Sequence, residues 1–286
     1  MQTLTKSLLA GLATIAATLA PAWAEDAAPL PFSVPRDSAI PKTEQGAQIL
    51  YGKRLMTETK RLLPDNVGAE MNCSSCHLLG GKVAFGSPFL GTWNAFPQYA
   101  PRAGREINLA ERINGCFLRS MNGKPLKSDS QEMKAMLAYM EWLSSGLPKE
   151  KGKLNIAGKG IGKINADLLP DPVNGKKVYD QQCASCHGAN GEGITDARGE
   201  MVFPPLWGDK SFNVGAGMAR TYTAAAFVLN NMPVAHGLNG LLGQGGAMTE
   251  QEALDVAEYF SHQPRPDFPA KVKDWPNGGK PKDARY

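Results

Sequence analysis

Five cysteines and four histidines hold most of the chemistry this 286-residue chain can offer. Four of the cysteines stand in two matching strings, Asn72-Cys73-Ser74-Ser75-Cys76-His77 and Gln182-Cys183-Ala184-Ser185-Cys186-His187, each reading C-x-x-C-H. That pattern attaches haem c. Two thiols add to the two vinyl groups of one haem, and the histidine that follows reaches the iron as proximal ligand. Other readings explain less. A thioredoxin-like C-x-x-C wants a βαβ setting that the flanks lack. A four-cysteine zinc site would have to join pairs far apart in the chain. Disulfides within the pairs leave the histidine after each one unexplained. Two such motifs predict two covalently bound haem c groups.

Each six-coordinate iron needs a second axial ligand, and His77 and His187 are already used. His236, in a Gly-rich loop, and His262, after a terminal helix, remain, so two bis-histidine haems are not expected. For the second haem, Asn231-Met232-Pro233 precedes the terminal helix, and its thioether makes Met232 the expected ligand. Met248 is a rival better suited to packing. Methionine ligation raises the potential of a haem. For the first haem the equivalent zone offers Cys116, Met121 and Met133. Met133 lies on the periodic face of a helix and reads as core. Met121 is the ordinary cytochrome answer and predicts a simple dihaem electron carrier. Cys116 is the unusual one.

The elements that position these residues follow from spacing. Asn108 and Glu111 form a capping-box pattern, so a helix should run from there to about Met121, with Asn122-Gly123 as its stop. Residues four apart share a helical face, which groups Arg112, Cys116 and Ser120. Arg102 and Arg105 lie just upstream. Guanidinium groups stabilise a thiolate and bind small oxyanions in a bidentate fork. The plain alternative for Cys116 is a small buried hydrophobe.

Around each haem motif the pattern repeats. Gly46-Ala-Gln-Ile-Leu-Tyr-Gly-Lys-Arg-Leu precedes the first, separated from it by extra residues 57–71, and Gly175-Lys-Lys-Val-Tyr179 precedes the second. Residues 131–143 and 250–260 form amphipathic terminal helices, the latter with Thr249 and Glu252 as a capping box. A helix, a haem motif and a terminal helix resemble the class I cytochrome c domain. The expected fold is mostly α: two class I cytochrome c-like domains, residues 25–147 and 173–264, joined by a Gly/Lys-rich strap at 148–172. Lysines 149, 151, 153, 159 and 163 of that strap read as a solvated face. Residues 265–286 read as an extended or disordered tail.

The first 24 residues read as a signal peptide: Lys6, a short apolar run over 7–20, and Ala22-Trp23-Ala24 before a cleavage site near Glu25. The apolar run is too short to span a bilayer. No later segment looks apolar enough either, so a periplasmic protein without a transmembrane segment is expected. The net charge of +4 is too mild for a nucleic-acid binder.

The string from Glu111 to Leu126, with Arg112, Cys116 and Ser120 inside it, resembles the haem 1 region of thiosulfate dehydrogenases, the tetrathionate-forming dihaem c enzymes. The resemblance continues in order through the strap, the second haem motif, Pro204-Pro-Leu-Trp-Gly208 and Asn230-Asn-Met-Pro233. It implies His77 and Cys116 as axial ligands of haem 1, and His187 and Met232 for haem 2. It places Arg102, Arg112 and Ser120 in a substrate pocket, with Cys116 as a catalytic residue. It implies thiosulfate and tetrathionate as the reacting pair, and a redox partner such as another cytochrome c. Some members carry a lysine just before the distal methionine of haem 2. Asn231 stands there in this chain, so the resemblance supplies no lysine to exchange with Met232.

Overall fold

The computed structural model describes residues 28–149, 152–234 and 245–286. The expected signal peptide, Lys151 and His236 lie outside the described residues. Among the described residues, six helices longer than ten residues carry the fold: α1 (Glu44–Thr57), α2 (Leu109–Arg119), α3 (Gln131–Leu143), α4 (Pro172–Gln182), α5 (Thr221–Asn231) and α6 (Glu250–Ser261). Two short antiparallel hairpins join them. One pairs β1 (Gln98–Ala100) with β2 (Arg105–Ile107), the other β3 (Ile194–Thr195) with β4 (Met201–Phe203). Among the described residues no helix is long and apolar enough to cross a membrane.

Local chemistry starts the helices where the sequence signals them. The Thr43 hydroxyl accepts from Gly46 N–H at the head of α1. Full capping boxes open α2, through Asn108 and Glu111, and α6, through Thr249 and Glu252. These satisfy N–H groups that a helix start leaves unpaired. Helix α2 stops at Arg119, two residues before the expected end, with Ser120 as its C-cap. The reason is tertiary: the Met121 carbonyl accepts from Gly68 and Ala69, and Asn122 turns into the left-handed region at φ 44.

Both halves close on the same device. Helix α1 crosses α3, and α4 crosses α6. A Cβ on Gly52 would stand 2.0 Å from the Ala135 carbonyl oxygen and 2.9 Å from Tyr139 Cβ. A Cβ on Gly175 would stand 2.0 Å from the Asp255 carbonyl oxygen and 3.0 Å from Tyr259 Cβ. Only glycine lets the backbones approach so closely. The partner of Gly175 in the first half is therefore Gly52, in Gly52-Lys-Arg-Leu, rather than Gly46. Leu55, Met56, Met133, Met136, Tyr139 and Leu143 fill the first core. Tyr179, Val178, Leu254, Val256 and Phe260 fill the second.

The extra residues 57–71 are built into the first half. Val67, Ala69 and Met71 are buried, and Thr59 is fully so. The strap is also more than a connector. Ile156 is buried and bridges Leu30, while the carbonyls of Gly158 and Gly160 accept from Phe85 and Ser87 N–H. Lys153 and Lys163 are exposed as expected, but Lys159 is half-buried and donates to the Gly91 carbonyl. The tail is tied down on both halves: after a 3-10 turn at Pro269–Lys273, the buried Trp275 donates its N–H to the Arg102 carbonyl of the first half, and Asp283 accepts from Tyr222 N–H of the second. The halves meet along further bonds, from Asn213 to the Leu118 carbonyl and Asn122, and from Glu70 N–H to the Lys210 carbonyl.

Candidate haem sites and substrate site

The first C-x-x-C-H string is a single 3-10 turn over Cys73–Ser75, opened by a capping box between Asn72 and Ser75. The turn brings both thiols and the imidazole to one side. Thr59 fixes its start: its hydroxyl accepts from Cys73 N–H at 2.9 Å and donates to Cys73 Sγ at 3.3 Å. His77 Nδ1 bonds the Ser87 carbonyl at 2.5 Å, and its ring stacks on Phe89 with centroids 4.3 Å apart. With Nδ1 committed to a carbonyl, Nε2 is left for a metal. The strap reaches this bond, because Ser87 is itself held by Gly160.

Opposite His77 comes the middle of α2. Its apolar face, Leu109, Ile113 and Phe117, is buried. That orientation turns Arg112 and Cys116 toward the haem motif. Arg112 Nη1 donates to Cys116 Sγ at 2.9 Å, and the His77 imidazole bonds the same thiol. Burial pushes the Cys116 thiol up, but the Arg112 charge and the two hydrogen bonds outweigh it and bring it down to about 6. Burial pushes Cys73 and Cys76 up to about 12, opposed at Cys73 by the Thr59 hydrogen bond. Cys116 is thus set apart as the thiolate of the group, the form that binds metals and attacks electrophiles.

Met121 and Met133, the other two candidates, are packed in the first core at 3% and 0% exposure. Ser120 caps the same helix one turn beyond Cys116 and is half-buried. Arg102 lies apart from this cluster. Its Nη1 donates to the Gly215 carbonyl at 2.7 Å, its Nε is 3.7 Å from Asp274, and its guanidinium stacks on Trp275. Arg105 pairs with Glu111 at the surface. One residue of the α2 face has no place in the sequence reading. Arg119 follows Cys116 by three residues and Arg112 by seven, pairs with Asp274 at 2.7 Å, and keeps a buried Nη1 with no hydrogen-bond partner. The i, i+4, i+7 spacing was the available signal.

The second string lies on a short helix, Ala184–His187. His187 Nδ1 bonds the Pro204 carbonyl at 2.8 Å. Burial lowers the pKa of His187 and the Pro204 bond opposes this, favouring the neutral ring that ligates metals. Cys183, Cys186, His187 and Met232 all line one cavity of 770 Å³. Met232 is the C-cap of α5, and its neighbour Asn231 is anchored by donating to the Phe85 and Phe227 carbonyls. Met248 is packed in the second core, and His262 is exposed beside Glu258.

The residues fit haem at both places. Each has two thiols and an imidazole whose second nitrogen is anchored, and each has a sulfur donor facing that imidazole or sharing its cavity. The 770 Å³ cavity also reaches Asn72, Ser74 and Cys76 of the first string. The two sites therefore adjoin. Met218, which the sequence reading passed over, packs against the cores of both halves between them.

Comparison with known proteins agrees with this arrangement. Residues 65–148 match the family model described as SoxA/TsdA, cytochrome c domain, and residues 172–263 match the cytochrome c model. A thiosulfate dehydrogenase from Psychrobacter arcticus is 47% identical over 254 residues, which are 89% of this chain and 74% of that protein. One from Allochromatium vinosum is 41% identical over 88% of this chain and 91% of its own length. The solved thiosulfate dehydrogenase TsdBA of Marichromatium purpuratum superposes with a TM-score of 0.73 at 37% identity. It is matched over 83% of this chain, which spans half of that longer chain. The chain belongs to the thiosulfate dehydrogenase family, and its two cytochrome c domains carry two covalently bound haem c groups.

Proposed function

We propose that the protein couples two thiosulfates into one tetrathionate, 2 S₂O₃²⁻ → S₄O₆²⁻ + 2 e⁻, in the periplasm after cleavage near Glu25. The reading assigns the site to residues 25–147, electron exit to residues 173–264, and the acceptor to an external redox protein such as another cytochrome c. The observation that carries it is Arg112 Nη1 at 2.9 Å from Cys116 Sγ, with His77 on the same sulfur. Cys73, Cys76 and His77 would hold the first haem with Cys116 as sixth ligand. Cys183, Cys186 and His187 would hold the second with Met232. Bound there, the haems supply one-electron acceptors for the two electrons that sulfur–sulfur coupling releases.

The residues answer a charge problem. Two unit charges about 4 Å apart at an effective dielectric of about 20 repel by roughly 4 kcal/mol, and dianions by more. Arg112 and Arg102 would neutralise the approaching anions, and the Ser120 hydroxyl would donate to a sulfonate oxygen. Cys116 has the thiolate character to bond the sulfane sulfur of one thiosulfate as Cys–S–SSO₃⁻, a bond whose formation releases the two electrons that the bound haems would accept. A second thiosulfate would then displace the Cys116 thiolate and leave as tetrathionate.

The test is a steady-state assay with thiosulfate and ferricyanide, then with tetrathionate and a reduced dye, on the haem-loaded protein. Thiosulfate turnover, with a low-spin thiolate-type electron paramagnetic resonance (EPR) signal in the oxidised protein, is expected. No thiosulfate turnover, or EPR signals of histidine/methionine type alone, would sink the proposal.

A further inference from the structure

The turn between β1 and β2 carries Arg102, and the C-terminal segment 274–277 lies directly on it. Trp275 N–H donates to the Arg102 carbonyl at 2.9 Å, and the Trp275 ring lies 4.7 Å from the Arg102 guanidinium. Asn277 Nδ2 reaches the Gly104 carbonyl at 3.3 Å and Tyr99 Oη at 3.2 Å. Gly104 has a φ of +66°, and a Cβ there would stand 2.5 Å from Pro276. Backbone, ring and side-chain contacts thus hold the turn from the tail.

Asp274 ties this turn to α2. Its Oδ1 accepts from Arg119 Nη2 at 2.7 Å, and its Oδ2 lies 3.7 Å from Arg102 Nε and accepts from Tyr286 Oη at 2.5 Å. The Asp274 side chain is only 5% exposed, so water screens these interactions weakly. Arg119 is on the α2 face that carries Arg112 and Cys116. One buried carboxylate therefore spans the Arg102 turn and the helix of Cys116, beside a longer route in which Arg102 bonds Gly215, Gly215 bonds Asn213, and Asn213 N–H donates to the Arg119 carbonyl. A guanidinium is a rigid fork whose usefulness depends on its plane. Gly215, Asp274 and Trp275 together set that plane for Arg102.

We propose that segment Asp274–Asn277 is a positioning element of the substrate site, aligning Arg102 and, through Arg119, helix α2. The inference rests on the reading that Arg102 serves a thiosulfate site. Electrostatics makes it sharp. A carboxylate near a site for dianions opposes their binding by charge alone, so removing that charge would tighten binding if Asp274 merely competed for the arginines. If Asp274 positions them, removing it weakens binding.

The experiment measures KM and kcat for thiosulfate with ferricyanide, haem content, and the EPR signal of the first haem. It uses full-length haem-loaded Asp274→Asn, Trp275→Ala, Trp275→Phe and Arg102→Ala proteins. Asp274→Asn and Trp275→Ala should raise KM about tenfold with a smaller change in kcat, the pattern of lost binding alignment. Haem content and the EPR signal should be unchanged, and Trp275→Phe, which keeps a ring under Arg102, should stay near the parent KM. A lower or unchanged KM in Asp274→Asn with intact spectra overturns the proposal. If Trp275→Ala loses haem, Asp274→Asn decides alone, because asparagine keeps the shape of the side chain. Arg102→Ala separates the failures. An unchanged KM there removes the substrate reading of Arg102, and the positioning role with it. A raised KM there beside unchanged Asp274→Asn and Trp275→Ala removes the positioning role alone.

Discussion

The two halves are built on one frame and furnished differently. In each, a glycine on the first helix lets it press against the backbone of the terminal helix, Gly52 on Ala135 and Gly175 on Asp255. In each, the proximal histidine gives Nδ1 to a loop carbonyl, that of Ser87 or Pro204. The sulfur facing or sharing the site with that histidine comes from a corresponding eleven-residue helix, α2 or α5. Cys116 stands inside its helix, so the arginine four residues earlier reaches it. Met232 stands just past the end of its helix, among apolar neighbours that include Phe227 and Val228. A donor in the helix body can be given a charged neighbour by i, i+4 spacing. The residue four before Met232 is Val228, so the same spacing gives that sulfur an apolar neighbour instead. The same frame thus holds one sulfur beside a guanidinium and another among apolar side chains.

Substitutions can break that contrast, beginning with the strongest. Cys116→Ser should lower kcat for thiosulfate by about 1000-fold or more, as for removal of a residue that acts directly on substrate. Both haems should remain by pyridine haemochrome assay, and the thiolate-type EPR signal should vanish. Full turnover in that variant would make the two halves equivalent carriers.

Next come the glycines that make the frames alike. Gly52→Ala and Gly175→Ala each force a Cβ to within 2.0 Å of a carbonyl oxygen, and each should cost about 3 kcal/mol. Thermal unfolding followed separately at the two haem signals should show Gly52→Ala weakening the first half and Gly175→Ala the second. Equal loss at both signals would mean that the halves unfold as one unit.

Arg112→Ala should lower kcat/KM for thiosulfate by about 100-fold, the scale of a lost charge-stabilising donor. Arg112→Lys should recover only part, since lysine lacks the planar fork. The Met232 side offers the smallest effect. Asn231→Ala removes the bonds to the Phe85 and Phe227 carbonyls and should cost about 1 kcal/mol in denaturant unfolding. Its thiosulfate KM should stay at the parent value, since Asn231 lies in the second half, away from Arg112 and Cys116. A raised KM would show that anchoring of the two halves tunes the first site.

Much of this was legible locally. The haem strings, the capping boxes at Asn108 and Thr249, and the shared face of Arg112 and Cys116 all depend on residues within a few positions of one another. Their geometry follows from helix pitch and turn chemistry. The choice among Cys116, Met121 and Met133 was not local. All three carry sulfur in the right zone, and packing separates them by burying the methionines in the first core.

The roles of Arg102, the strap and the tail were still less legible. Arg102 reads as one more arginine near the site until Gly215, Asp274 and Trp275 are seen around it. The strap reads as solvated lysines until Gly160 is found holding Ser87, and Ser87 holding His77. The tail reads as a loose end until Asp274 joins Arg119 to it. From the sequence alone came two haem c sites, two α-helical halves and an arginine–cysteine pair, because covalent chemistry and helical period act over a few residues. Which sulfur meets His77, how Arg102 is held and how the halves lock depended on contacts between residues distant in the chain. Such contacts arise only when burial and hydrogen bonding are satisfied for the whole molecule at once.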